Sequence, residues 1–432
     1  MSTAVVFPGQ GSQIVGMCSE LAAVYPVVRA TLTEADEALG MPLSALMASG
    51  PAEKLAATVN CQPALLAAGV AQFRLLQHLG LRNVACMAGH SLGEYTALVC
   101  AEALDFPSAL RLVQDRGRFM QDAMPLGTGR MTAILGWEIE RVLKIINTLS
   151  LSSTIQIANH NAKQQVVVSG LSADIQTLES KLDQLGATCF PLRVSAPFHS
   201  IHMSPAAVAL SERLNSEELQ WKTCRVDVYS NVTAAPHRDA ESIPHLLERQ
   251  IIETVHWLTI MERFQERGVR RIIECGPGNV LIRLLKSHNP KWKLFSSSLP
   301  DEVEALRPHI QPSADMVDGS LDANMIELLG RAVHTLVTTP NLETDDSIYE
   351  SSVAVPLRTL RMAYKQWRRG KGDPTSLSVS DIRAMTRAAL TAKALPQKQI
   401  DDKLRYLDSG LITSSGLSAV HRFVKPVTQE GN

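Results

Sequence analysis

Two residues far apart in the chain, Ser91 and His199, have between them the chemistry for nucleophilic attack on an acyl carbon. Ser91 lies in Gly89-His90-Ser91-Leu92-Gly93, directly after the apolar run Val84-Ala85-Cys86-Met87-Ala88. Gly-x-Ser-x-Gly between a strand and a helix is the spacing of a sharp turn that lifts a serine hydroxyl into the open, with glycines where side chains would collide. The backbone NH of Leu92 then faces the carbonyl under attack. A serine hydroxyl is a poor nucleophile at neutral pH and needs a base within hydrogen-bond reach. Of the twelve histidines, His199 is the one expected there, because it closes the last strand of a small lobe, read at Ala187 to Ala196, and so returns at the cleft. His90, beside the nucleophile, is read as shaping the turn.

Those residues need a scaffold, and the chain's periodicities supply one. Residues 3–7 read as a buried strand, 61–80 as a strongly apolar helix ending at Gly80, and 84–91 as a strand running into the turn. Such alternation implies a mostly parallel sheet covered by helices, with Ser91 at its carboxyl edge, where ligands bind in open α/β sheets. From 130 to 196 the order becomes strand, helix, strand, strand, helix, strand, the βαββαβ unit of a ferredoxin-like lobe. Afterwards the larger domain resumes, through a strand near 269–278 and the helix 279–288. The expected organisation is therefore an α/β-hydrolase-like core at 1–129 and 197–312, an inserted lobe at 130–196, and a mainly helical extension at 313–432.

Composition narrows the function classes. At 432 residues, 45% hydrophobic and 20% charged, the chain is that of an ordinary globular protein. A formal net charge of −1 gives no overall field for nucleic acid, and no Cys/His cluster has zinc spacing. Seven scattered cysteines read as reduced core thiols. The start runs straight into a buried strand and no apolar run approaches the ~18 residues of a membrane span. A cytoplasmic protein without nucleic-acid or membrane partners is expected.

The strings FPGQGSQ, CQPAL, GHSLGEY, RGRFMQDA, ANHNAKQQVVVSG, SAPFHS, LERQIIETVHW and ECGPGNVL follow one another in an order and spacing that resembles the malonyl-CoA:acyl carrier protein transacylases and the acyltransferase domains of polyketide synthases. The resemblance covers about residues 1 to 300. It implies that Ser91 carries the acyl group, that His199 is its base and then the acid for the departing thiol, and that the NH groups of Gln10 and Leu92 form the oxyanion hole. Gln250 matches the position that orients His199 through its backbone carbonyl. Asn159, Gln62 and His90 match pocket positions, and Phe198 the form associated with malonyl. Arg116 matches the arginine that grips the malonyl carboxylate, a bidentate task suited to a guanidinium.

No cofactor is implied. The substrates are a malonyl-type thioester of CoA or of a carrier protein, and the acceptor is the phosphopantetheine thiol of an acyl carrier protein. Two departures, Arg130 where the family has a small residue and His202 where leucine is common, leave the α-substituent of the donor open, aminomalonyl included. The extension and its basic run, with Arg361, Lys365, Arg368 and Arg369 spaced along one side of a helix, fit docking of a carrier protein in trans to a polyketide or hybrid peptide–polyketide assembly line. A housekeeping transacylase of fatty acid synthesis, a thioester hydrolase and an idle scaffold are the alternatives. Arg116 speaks against the hydrolase, and the complete set of Ser91, His199, Gln10 and Arg116 against the scaffold.

Overall fold

In the strand Thr3–Phe7 every side chain is buried, Val5 and Phe7 packing on one face and Ala4 and Val6 on the other. A strand covered on both faces belongs at the centre of a parallel sheet, and that is its place. The computed structural model describes residues 2–194, 196–310, 325, 328–339, 345–368, 377 and 379–409. Among them run nine strands: β1 (Thr3–Phe7), β2 (Val84–Gly89), β3 (Gly129–Leu135), β4 (Ile155–Ala162), β5 (Gln165–Leu171), β6 (Thr188–Pro191), β7 (Val228–Tyr229), β8 (Arg271–Glu274) and β9 (Lys293–Ser296). By contacts the chain divides into two units, Met1–Gln311 and Pro312–Asn432.

In the first unit a parallel sheet has the order β7-β2-β1-β8-β9. The helix Thr58–His78, buried along most of its length, packs with Leu92–Cys100 and Phe106–Asp122 on one face, and Trp257, Ile260 and Phe264 of the helix Trp257–Glu266 cover the other. The second sheet is antiparallel, in the order β4-β5-β3-β6, with the helices Ile139–Thr148 and Ser172–Gln184 closing its own core of Ile134, Val142, Val166 and Leu178. With β3 and β5 central and β4 and β6 at the edges, this is the ferredoxin-like arrangement.

The last strand of that lobe is shorter than the sequence reading of 187–196. It ends at Pro191, which faces Thr132 across the ladder. Proline has no NH to donate, and on an edge strand it marks where pairing stops. One more bond, Leu192 N to Met131 O at 2.9 Å, is made before the chain leaves the sheet. His199 therefore does not close a strand. It lies on the following loop, with φ of 57°, two residues before the short 3-10 turn Ile201–Met203.

The described part of the second unit is helical and has a core of its own. Leu329, Leu336, Leu360, Trp367, Ile382, Leu390, Leu404 and Leu407 pack together from the helical residues 328–338 and from the helices Val355–Arg368, Val379–Ala392 and Gln397–Ser409. Lys393 is buried and donates to the carbonyls of Leu336 and Thr339 at 2.7 and 2.6 Å, a cation on helix-terminal carbonyls. Among the described residues no helix is long and apolar enough to cross a membrane.

Candidate active site

Because β1 and β2 are parallel neighbours, the turns that follow both open on the same edge of the sheet. After β2 the chain reverses at Ser91, whose φ of 51° and ψ of −104° lie outside the regions comfortable for a residue with a side chain. Such a conformation costs about 1–3 kcal/mol and persists where surroundings over-determine it. Two glycines make the reversal possible: a Cβ on Gly89 would sit 1.8 Å from the carbonyl carbon of Gly93, and one on Gly93 would sit 2.0 Å from Phe7 O. Asn231 straps the turn from both sides, accepting from Ser91 N at 2.7 Å and donating to Gly89 O at 2.7 Å.

The Ser91 hydroxyl meets His199 Nε2 at 2.8 Å, and His199 Nδ1 meets the backbone oxygen of Gln250 at 2.7 Å. A carbonyl can only accept, so Nδ1 carries the proton and Nε2 is left to accept from the serine. Burial, the Arg116 cation and His90 push the imidazole down to about 3, against the Gln250 carbonyl, which favours the charged form. His199 is thus neutral at physiological pH, the state a base requires.

Arg116 comes from the helix Phe106–Asp122 and is 1% exposed. Its Nη1 donates to Gln62 Oε1 at 2.8 Å, and its Nη2 to Gln250 Oε1 at 2.9 Å and to Ser91 Oγ at 3.2 Å. The guanidinium lies over the Tyr95 ring, 5.1 Å from its centroid, and burial draws its pKa down. The Gln250 amide cannot turn over, because its Nε2 donates to Glu94 Oε2 at 2.7 Å and to Ser91 O at 3.1 Å. Glu94, wholly buried, also accepts from Asn231 N and from His237 Nε2, each at 2.9 Å.

The structure brings together Ser91, His199, Arg116, Gln250 and Gln62. The NH groups of Gln10 and Leu92 meet no acceptor among the described residues, and Leu92 opens the helix Leu92–Cys100, whose first NH groups favour negative charge. His90 turns away from the serine, pairing through Nε2 with Asn161 Oδ1 at 2.9 Å and leaning on Trp257. Phe198 is buried next to His199. Asn159 is buried on β4, but the residue of that strand that reaches the nucleophile turn is Asn161, two positions on.

Asn161, Asn231, Glu94 and His237 escape the sequence reading. Glu94 and Asn161 lie inside the strings GHSLGEY and ANHNAKQQVVVSG, while Asn231 and His237 lie in none. The two departures do not enter the site: Arg130 is paired with Glu179 on the lobe helix at 3.1 Å, and His202 Nε2 is held by Thr154 O at 3.0 Å. In the second unit Arg361 and Lys365 are exposed one turn apart, while Arg358 pairs with Glu350 at 2.5 Å. The side chain of Arg368 and all of Arg369 lie outside the described residues.

Comparison with known proteins places this geometry in a family. Residues 4–309 match the acyl transferase domain. The malonyl CoA-acyl carrier protein transacylase of Escherichia coli strain K12 is 42% identical over 284 residues, which is 66% of this chain and 91% of that one. The solved transacylase of Coxiella burnetii superposes with a TM-score of 0.70 at 37% identity, covering 72% of this chain and 98% of its own. A malonyl-transacylase solved in complex with its type II polyketide synthase acyl-carrier protein gives 0.69 at 38%, covering 72% and 100%. With the Ser91 turn, His199 and the buried Arg116 all on the matched segment, the chain belongs to the acyl transferase domain family, among the malonyl-CoA:acyl carrier protein transacylases.

Proposed function

We propose that this chain moves a malonyl group from a thioester donor to the phosphopantetheine thiol of an acyl carrier protein, by way of an ester on Ser91. The observation that carries the reading is a buried guanidinium within hydrogen-bond reach of the nucleophile, Arg116 Nη2 to Ser91 Oγ at 3.2 Å. A malonyl group bonded to Ser91 has its carboxylate a few bonds from the ester, so a cation set there is matched to it. A neutral acyl chain leaves that cation without a partner, which is costly in a dry site.

The chemistry follows from the geometry. Ser91 Oγ bonds to the thioester carbon while its proton passes to His199 Nε2. The carbonyl oxygen takes the negative charge and turns to the NH groups of Gln10 and Leu92, where each donor contributes about 3 kcal/mol. The carbon–sulfur bond then breaks, and His199 returns the proton to the departing thiolate. The second half runs the same steps in reverse with the carrier protein's thiol as the attacking group, so one imidazole is base and acid in both. No step calls for a cofactor. The relatives named above are transacylases of acyl carrier proteins, and one is solved with a polyketide carrier protein. The helical unit with Arg361 and Lys365 supports docking of a separate carrier protein in trans, in the cytoplasm where CoA thioesters are made.

The direct test is intact mass after brief exposure to malonyl-CoA. One malonyl group on the wild type and none on Ser91→Ala is the expected outcome; label that survives in Ser91→Ala overturns the assignment.

A further inference from the structure

Arg116 is a buried cation whose hydrogen bonds to the described residues all go to neutral groups. Its hydrogen-bond acceptors are the amide oxygens of Gln62 and Gln250 and the hydroxyl of Ser91, and its Nε has no partner among the described residues. The nearest carboxylate in the network, Glu94, is on the far side of the Gln250 amide and is taken up by Gln250, Asn231 and His237. The cation therefore acts on the two catalytic groups beside it. Its Nη2 occupies a lone pair of Ser91 Oγ, the atom that must form the new bond. It also faces the imidazole that must become positive.

The direction of the effect follows from where charge goes. When Ser91 attacks, its proton moves to His199 and the negative charge moves to the carbonyl oxygen at the NH groups of Gln10 and Leu92. No negative charge stays on Oγ for the arginine to stabilise, whereas the new imidazolium is a like charge. Arg116, balanced only by Glu94 across the Gln250 amide, thus opposes the transition state. A carboxylate that takes up the guanidinium removes both obstacles at once.

Resting on the malonyl-transfer reading, we infer that the donor's carboxylate switches on the Ser91–His199 pair: by drawing Arg116 off Ser91 Oγ and neutralising it, the substrate's anion activates the nucleophile as well as binding to it. Selectivity for malonyl is then exerted in the rate of the bound complex and not only in affinity. The groups facing His199 are consistent with this. They are Ser91, the Gln250 carbonyl, the Glu253 backbone, His90 and Arg116, and of these Arg116 is the largest influence after burial holding the imidazole's basicity down.

The test compares malonyl-CoA with acetoacetyl-CoA, in which a methyl ketone of the same size replaces the carboxylate. Acylation of Ser91 is followed by rapid quench at saturating donor across pH. Neutralising a unit charge a few Å from a titrating group moves its pKa by about one unit or more, so the acid limb of the saturating rate should lie about a unit higher with malonyl-CoA and the plateau should be at least about tenfold faster. Arg116→Ala should raise the absolute saturating rate with acetoacetyl-CoA, because the opposing cation is gone. Equal plateaus with coincident acid limbs, the donors differing only in apparent affinity, overturn the inference, as does an unchanged acetoacetyl rate in folded Arg116→Ala. The wild-type comparison stands without the variant. A complete lack of malonyl on wild-type Ser91 instead overturns the functional reading itself, a result distinct from coincident limbs.

Discussion

The two units of the chain treat buried charge in opposite ways. Beneath the nucleophile turn, Arg116, Glu94, His199 and His237 are all withdrawn from water and held by one another, by amides and by backbone groups. In the helical unit the described core is built of Leu, Ile, Ala, Met and Trp, with the neutral Thr335, Thr339 and Thr386 also buried, and the buried amine of Lys393 ends a helix by bonding two carbonyls. Burying a charge costs several kcal/mol unless it is well paired. A fold accepts that cost where the charge has work to do, so the first unit shows its chemistry in its interior, and any binding role of the second belongs on its surface.

The sharpest way to break this contrast is to remove the interior groups singly. Ser91→Ala should abolish acyl loading. His199→Ala should slow loading and transfer together by at least about a hundredfold, in line with general acid–base contributions; a rapid-quench assay of each half-reaction in which only one slows would reassign part of the role. Arg116→Ala should reduce malonyl transfer by more than about tenfold, since stranding a buried carboxylate costs typically 2–5 kcal/mol, and steady-state kinetics with malonyl-CoA and acetyl-CoA would show the ratio shifting toward acetyl.

Asn231→Ala probes the strap behind the turn. It deletes the hydrogen bonds to Ser91 N and Gly89 O and a long one, 3.5 Å, from Gln250 Nε2, and should cost about 1–3 kcal/mol of stability by leaving Ser91 N and Gly89 O unpaired, with loading slowed equally for malonyl and acetyl donors. A changed donor ratio in chemical denaturation-tested, folded Asn231→Ala would mean that Asn231 also sets the arginine. His199 supplies a pH test of the same interior. Its folded pKa, about 3, lies below the unfolded value of about 6.5. On acidification the unfolded chain takes the proton first, so the stability held above pH ~6.5 is lost progressively as pH falls toward 3. Denaturation midpoints of wild type should therefore fall more steeply over that window than those of His199→Gln.

The difference between interior and surface also explains what was legible in the sequence. Strand periodicity and the glycines around Ser91 are local signals, and they place Ser91 at the carboxyl edge of the parallel sheet. The order of elements from 129 to 191 is enough for the ferredoxin-like lobe. The bonds of Asn231 to Ser91 and of Glu94 to His237 join residues about 140 positions apart, with no periodicity to announce them. β7 is two residues long, too short for any pattern to mark the chain that leads to Asn231. Asn159 and Asn161 are two apart on one strand, the spacing that puts both on one face, so only the packed structure says which reaches His90. In the sequence the apolar run continues past Pro191, where the ladder stops, and so points to a strand that ends near His199.

On the surface the expected effect is smallest. Arg361 and Lys365 have no ion-pair partner among the described residues and lie one turn apart on the helix Val355–Arg368. Changing both to glutamate should raise the apparent KM for an acidic carrier protein by a few-fold at low salt, leave self-acylation of Ser91 unchanged, and lose its effect as added salt screens beyond a Debye length of about 10 Å. Identical carrier-protein kinetics at low salt would make the pair a solvated helix face.

The central claim is that the acyl group on Ser91 is destined for a thiol and not for water. Wild-type protein carrying labelled malonyl on Ser91 can be freed of CoA, divided, and incubated with and without a phosphopantetheine-bearing acyl carrier protein. The account predicts that label stays on the enzyme in buffer and moves to the carrier protein's thiol when that protein is added; prompt release as free malonate in both samples would contradict it and make the chain a hydrolase.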